Sequence, residues 1–192
     1  MKRFVNMLAL VVLVSGFGIQ SIPQAQNGVE SAMAEVTNQY KRRADLIPNL
    51  VQVVKGYAKH ENETLTSVVE ARAKATAVTV DPSKVDAKKL QEFQQAQGQL
   101  SQALGRLMVV AEKYPDLKAD QNFRDLQAQL EGTENRITVA RQRHIESIQK
   151  FNNLVTVPPT SWTNSLFYHH EKLPQWTVAD AQSMQTPPKV EF

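Results

Sequence analysis

From Asn27 onward, apolar residues recur every three or four positions in four successive segments. The apolar positions of these segments span residues 29–57, 65–79, 90–114 and 123–155. This spacing puts the apolar side chains along one face of each helix, which we call its seam. Four such seams are typical of antiparallel helices around one core. Prolines follow the last three segments, at Pro82, Pro115 and Pro158, where the helices should stop. We therefore predict an all-α fold, an antiparallel up-and-down four-helix bundle with long helices.

Pro48 lies inside the first segment, in the stretch YKRRADLIPNLV. A proline within a helix lacks the amide hydrogen that would bond the carbonyl four residues earlier, here that of Ala44, and it costs about 3 kcal/mol unless the helix bends. The seam keeps its register across Pro48, which favours one kinked helix near Ala44. The alternative is a helix that begins at Pro48, with Ile47 as a poor cap.

Several seam positions are polar, namely Arg43, Arg72, Gln97, Thr133 and His144. A buried guanidinium must be paired and hydrogen-bonded, or the fold loses several kcal/mol. We expect Arg43 or Arg72 to pair with Glu134, which precedes Asn135 in the fourth segment. Such a pair would fix the register of the helices. It could instead line a small polar cavity, or the arginines could be solvated if the seam is misassigned.

The pattern divides the chain into three parts: residues 1–26, an N-terminal membrane anchor or signal segment; 27–156, the bundle; and 157–192, a tail that packs on it. Phe4 to Ile19 is an apolar run after a basic start, and a helix from Phe4 to Ile22 would reach about 28 Å, close to the ~30 Å hydrocarbon core. We expect residues 4–22 to make a single pass through a bacterial inner membrane, with the body in the periplasm. A cleaved secretion signal and a buried core helix are the alternatives.

The tail is irregular and rich in aromatic residues. The second segment is much shorter than the fourth, so part of the bundle should be left with an uncovered groove. We expect the aromatic tail to cover that groove, and the alternative is that it binds a partner or the bilayer surface.

Composition and motifs exclude several functions. Lys and Arg number 22 against 19 acidic residues, and without Lys2 and Arg3 the net charge is +1, so nucleic-acid binding is not expected. The chain has no cysteine, which excludes disulfides and thiol chemistry. Neither HENE at residues 60–63 nor the pair His169-His170 has a spaced third ligand, so we predict no metal, no cofactor and no enzyme. Gly98 and Gly105 are expected to allow close helix contact.

Several long blocks occur in an order that resembles the LemA family of bacterial envelope proteins: YKRRADLIPNLVQVVKGYAKHE, ARAKA, LSQALGRLMVVAEKYPDLKADQNFRDLQAQLEGTENRITVAR and FNNLV. The resemblance covers roughly residues 27–155. It implies a four-helix bundle behind a membrane segment, no established enzymatic activity, and a link to TPM-domain proteins or zinc-dependent membrane proteases. Phe17 stands where lipidated relatives carry cysteine. The matching positions, candidates for structural or partner-binding roles only, are Arg43, Asp45, Pro48, Asn49, Glu61, Arg72, Arg106 and Glu134, to which the neighbouring Asn135 is added.

The leading interpretation is a non-catalytic, membrane-tethered envelope protein whose helices form a scaffold for protein partners, in envelope assembly or protein quality control. A hydrolase built on the polar seam and a sensor that binds a small ligand inside the bundle are the alternatives. A carboxylate of perturbed pKa near a histidine in an open pocket would favour the enzyme, and a fully paired seam would favour the scaffold.

Overall fold

The computed structural model of the chain describes residues 19–83 and 86–176. Within these ranges the helices are α1 Ser21–Tyr57, α2 Asn62–Ala77, α3 Ala87–Ala111, α4 Pro115–Ala119, α5 Gln121–Thr156 and α6 Thr160–Thr163, followed by a π-helical turn, Asn164–Tyr168. The predicted all-α class is confirmed, and the long helices pack antiparallel, α1 against α5 and α2 against α3. The α1–α5 contact is the most extensive, and α2 also packs on α1.

Three apolar clusters succeed one another along the helices. The first is built around Leu50, Leu100 and Leu107, where α1, α2 and α3 meet the start of α5. The middle cluster contains Met33, Phe93, Ile137 and the tail residue Trp176, and the end cluster contains Ile22, Val29, Ile148 and Phe151 from α1 and α5. Each fully buried aliphatic or aromatic side chain contributes roughly 1.5–3 kcal/mol. The seams of the first, third and fourth segments therefore form the core, except at two segment ends: Tyr57 is 43% exposed and Tyr114 is only partly buried.

The starts of α3 and α5 are fixed by aspartates. The carboxylate of Asp86 accepts a bond from the Lys89 amide at 3.3 Å, and that of Asp120 accepts one from the Phe123 amide at 2.9 Å. These bonds satisfy amides that have no partner inside the helix. The Phe123 bond, with a second bond from the Tyr57 hydroxyl, lowers the pKa of Asp120.

Helix α1 continues through Pro48, so the alternative of a helix that begins there is wrong. Pro48 has no amide hydrogen to donate to the carbonyl of Ala44. That carbonyl accepts a bond from Nε of Arg72 instead, at 2.8 Å. A side chain of α2 thus replaces the backbone donor that the proline removes.

Two further sequence expectations are wrong. The spacing of the second segment predicts a seam made of Leu65, Val68, Arg72, Thr76 and Thr79, but the last two are exposed, and Ala71 and Ala75 are buried instead. Gly98 and Gly105 do not mark close helix contact, because a Cβ added at either would have no atom of another helix within 4 Å.

The predicted membrane segment, residues 4–22, falls mainly on residues 1–18, which lie outside the described part of the chain; Ile22 belongs to the start of α1. In the described ranges no helix combines the length and the apolar character needed to cross a membrane. Of the tail, residues 177–192 also lie outside the described part. Trp176 is buried in the middle cluster, whereas Trp162, Leu166 and Phe167 are 64%, 70% and 61% exposed. The tail thus fills part of the space between the helices and leaves other aromatic groups outside.

Candidate functional site

The guanidinium of Arg43 lies at the centre of the helical body and is almost fully buried. Its Nη1 donates to Ser101 Oγ and to Glu134 Oε2, both at 2.9 Å, and its Nη2 donates to the Gln97 carbonyl at 3.2 Å and to Gln97 Oε1 at 2.8 Å. The predicted pairing of a seam arginine with Glu134 is confirmed for Arg43. Arg72, the other candidate, bonds the Ala44 carbonyl instead.

Gln97 extends this network to α2. Its Nε2 donates to the carbonyl of Ala75 at 3.1 Å. Ala75 lies in the last turn of α2, where helical carbonyls have no backbone donor of their own. One chain of hydrogen bonds therefore connects α1, α3, α5 and α2, and each link fixes the register of one helix against another.

The electrostatics of the Arg43–Glu134 pair are asymmetric. The Arg43 side chain is 3% exposed, whereas that of Glu134 is 54% exposed. The carboxylate keeps much of its hydration, so the desolvation penalty of the pair falls mainly on the arginine. The ring of Tyr40, 5.0 Å from the guanidinium carbon, offers a further favourable contact. Burial raises the pKa of Tyr40, against the lowering effect of Arg141 and Arg43, so the phenol remains neutral.

The other sequence candidates lie away from this network. Asp45, Pro48 and Asn49 are exposed on α1, Arg106 is exposed on α3, and Asn135 is exposed on α5. Glu61 precedes α2, is partly buried and accepts a bond from the Tyr114 hydroxyl at 3.2 Å. The structure therefore brings Arg43 and Glu134 together, leaves Glu61 and Arg72 half-buried at other contacts, and exposes the remaining candidates.

Two hollows adjoin the network. A groove of about 330 Å³ between α3 and α5 is lined by Leu104, Gly105, Met108 and Leu130, with Glu134 beside it. A second pocket, of about 320 Å³, lies where the end of α2 meets α1 and α3; its lining includes Asp45, Tyr40 and Gln97. The first, which we call the α3–α5 groove, is open and mainly apolar, and the second is more enclosed.

A second buried polar contact was not foreseen from the sequence. The indole Nε1–H of Trp176 donates to Nδ1 of His144, and the Arg141 guanidinium lies 4.8 Å from the Trp176 ring centroid. His144 has no exposed surface, and burial lowers its pKa to about 4. The imidazole is therefore neutral, with its proton on Nε2, which has no partner in the described part of the chain. The sequence placed His144 on the seam but gave no signal that Trp176 would reach it.

Side chains that could bind a metal do not converge. Among residues 19–83 and 86–176, no group of three or more histidine or acidic side chains is arranged to hold a metal ion. His60 of HENE is exposed and belongs to the turn before α2, and His169 and His170 follow the π-helical turn. The buried histidine, His144, contacts an indole.

The fold and its central network define a class: an all-α protein of long antiparallel helices, joined through one buried arginine. A model of the LemA family matches residues 32–192, so the chain belongs to the LemA family. The match includes the tail, which lies beyond the resemblance over residues 27–155. The chain is also similar to Protein LemA of Metamycoplasma hominis, with 27% identity over 161 residues, which is 83% of this chain and 67% of that protein.

Proposed function

We propose that this LemA-family chain is a non-catalytic scaffold for protein partners: an up-and-down four-helix bundle, tethered to the bacterial inner membrane through residues 4–22, with its body in the periplasm. The observation that carries the proposal is the Arg43 network. Its two terminal nitrogens donate four bonds, to Ser101, Gln97 and Glu134, and Nε is buried without a partner in the described part of the chain. A guanidinium whose terminal nitrogens all bond to neighbouring helices holds those helices together rather than acting on a substrate.

The buried imidazole of His144 also favours a structural role. A catalytic histidine normally needs a pKa near the working pH and a carboxylate or nucleophile within reach. Burial lowers the pKa of His144 to about 4, and its Nδ1 already accepts a bond from Trp176. This arrangement supports a packed core more than a hydrolase.

The α3–α5 groove is the proposed docking surface for a partner helix. Leu104 and Leu130 form apolar walls, Gly105 leaves open space, and Glu134 and Glu131 supply acidic groups at its edge. An amphipathic helix with basic residues beside its apolar face would complement this surface. The family resemblance suggests TPM-domain proteins or a membrane protease as partners in envelope protein assembly or quality control.

Site-specific crosslinking in cells tests this proposal. A photoreactive amino acid at Gly105, inside the groove, should capture a specific protein, and the same amino acid at Gln99, exposed on α3 outside the groove, should not. Fractionation should recover the full-length chain with the inner membrane. Equal crosslinking at both positions, or capture at neither, would contradict docking in the groove, and a cytosolic full-length chain would contradict the tether.

The second pocket favours one alternative, a sensor that binds a small ligand. It is more enclosed than the α3–α5 groove, and its lining combines an acidic residue, Asp45, with the apolar residues Phe93 and Val80. A thermal-shift screen of small metabolites separates the two functions. A ligand whose stabilisation disappears in Asp45→Asn would favour the sensor.

A further inference from the structure

An exposed apolar surface occupies one end of the molecule. We define it as the aromatic patch, made of Val157, Trp162, Leu166 and Phe167, which are 54%, 64%, 70% and 61% exposed. These side chains follow closely on one another in α6, the π-helical turn and the residue after α5. A group of large exposed apolar side chains usually marks a surface that binds a membrane or another protein.

The backbone beneath the patch is held by two asparagine side chains. Nδ2 of the buried Asn164 donates to the Val155 carbonyl at 3.3 Å and to the His170 carbonyl at 3.0 Å, and its Oδ1 accepts from the His170 amide at 3.0 Å. Asn152 makes the matching pair of bonds with the Leu173 amide and carbonyl, at 2.8 Å and 3.0 Å. The same stretch is therefore anchored to α5, and the outward direction of the patch is a fixed property of the fold.

The location of the patch indicates what it binds. The hydroxyl of Tyr168, the last residue of the π-helical turn, donates to the carbonyl of Ile19 at 2.7 Å. Ile19 is itself 45% exposed, and it closes the apolar run that begins at Phe4. The patch thus lies at the end of the helical body where the proposed membrane anchor enters α1.

We propose that the aromatic patch inserts into the headgroup boundary of the same bilayer that the proposed tether, residues 4–22, enters. This inference rests on the proposed membrane tether. Tryptophan and other aromatic side chains favour the membrane–water interface, and apolar side chains buried there reach about 5–10 Å into the headgroup–acyl boundary. Anchor and patch together give two points of attachment, so the helical body takes one fixed orientation relative to the membrane and presents the α3–α5 groove in a defined direction.

Quenching of tryptophan fluorescence by brominated lipid tests the proposal. The full-length chain is reconstituted into vesicles of phosphatidylethanolamine and phosphatidylglycerol with bromine on the acyl chains. The chain has two tryptophans, Trp162 in the patch and Trp176 in the core. Emission of Trp162 should fall by about half or more, because an indole at the boundary lies within about 5–10 Å of the acyl chains. The Trp162→Phe chain, which retains Trp176 alone, should show little quenching.

A second variant separates the patch from the tether. Leu166→Ser with Phe167→Ser changes exposed side chains, so the helix content should be unchanged and the chain should still float with vesicles, while the quenching of Trp162 decreases. A wild-type chain that floats without Trp162 quenching overturns the patch proposal and leaves the tether standing. A chain that does not float overturns the tether and this inference with it. If Trp162 is shielded from an aqueous quencher but is not quenched by brominated lipid, it contacts a protein or a second copy of the chain. That outcome also overturns the proposal.

Discussion

Acidification should destabilise the protein through His144. Burial lowers the pKa of this imidazole from its ordinary 6.5 to about 4 in the folded state. One pKa unit corresponds to about 1.4 kcal/mol, so His144 contributes about 3 kcal/mol to the difference in stability between neutral and acidic solution. The cause is structural: the imidazole has no exposed surface, and Nδ1, the nitrogen that would take the proton, already accepts the indole N–H of Trp176.

The direction follows from proton binding. Between pH 6.5 and about 4 the unfolded chain binds a proton at His144 and the folded chain does not. The contribution is therefore complete above pH 6.5 and is lost progressively as the pH falls towards 4. The folded protein has one way to avoid part of this penalty: Trp176 can leave, which lets water reach the imidazole. The loss in global stability is then limited to the free energy of detaching the tail.

Urea unfolding between pH about 7 and about 4 measures the effect, with His144→Gln as the matched control. The glutamine offers Trp176 a hydrogen-bond acceptor but does not titrate. Over this range the wild type should lose up to about 3 kcal/mol more than the variant. In a Trp162→Phe background, emission from Trp176 should shift to the red at a pH where the helix signal is still intact. Parallel pH profiles for wild type and His144→Gln, together with unchanged Trp176 emission, would refute the reasoning.

Three further predictions concern stability. Arg43→Met should lower the free energy of unfolding by about 2–4 kcal/mol, because it leaves the buried Oε1 of Gln97 without its donor. Glu134→Gln should cost under about 1 kcal/mol, because an amide oxygen can still accept, and equal losses in urea titrations would be inconsistent with the network. Arg72→Met should cost about 1–2 kcal/mol in wild type and less in a Pro48→Ala background, where residue 48 regains its amide hydrogen; a double-mutant cycle without coupling would contradict this. Trp176→Ala should cost about 3 kcal/mol and increase the binding of an apolar dye, and unchanged dye fluorescence would count against the tail as a cover.

The sequence predicted which faces turn inward where the seam is made of large side chains. Each seam residue of the fourth segment, from Phe123 to Val155, is buried, including Thr133 and His144. In α2 the same reasoning failed after Val68, because small alanines face the other helices while threonines of similar spacing face water. Periodicity identifies a face when the residues differ strongly in hydrophobicity, and Ala and Thr differ little.

The candidate site was predictable only in part. Charge and seam position were enough to infer that a buried arginine meets Glu134, since an unpaired guanidinium would be too unfavourable. The acceptors on Gln97 and Ser101, and the contact between His144 and Trp176, depend on how far helices rotate and where the tail turns back. Those features arise from packing between segments distant in the sequence, about which spacing within one segment carries no information.

The bond from Arg72 to Ala44 makes the first helix dependent on the second. Pro48 lacks the amide hydrogen that would bond the Ala44 carbonyl within α1, and the replacement donor is Arg72, 28 positions after Ala44. In an isolated peptide of α1, the Ala44 carbonyl would therefore lack a hydrogen-bond donor from the protein. The same carbonyl would lack its donor if α1 were grafted onto another protein without α2. The first helix is therefore complete only when the second is packed against it.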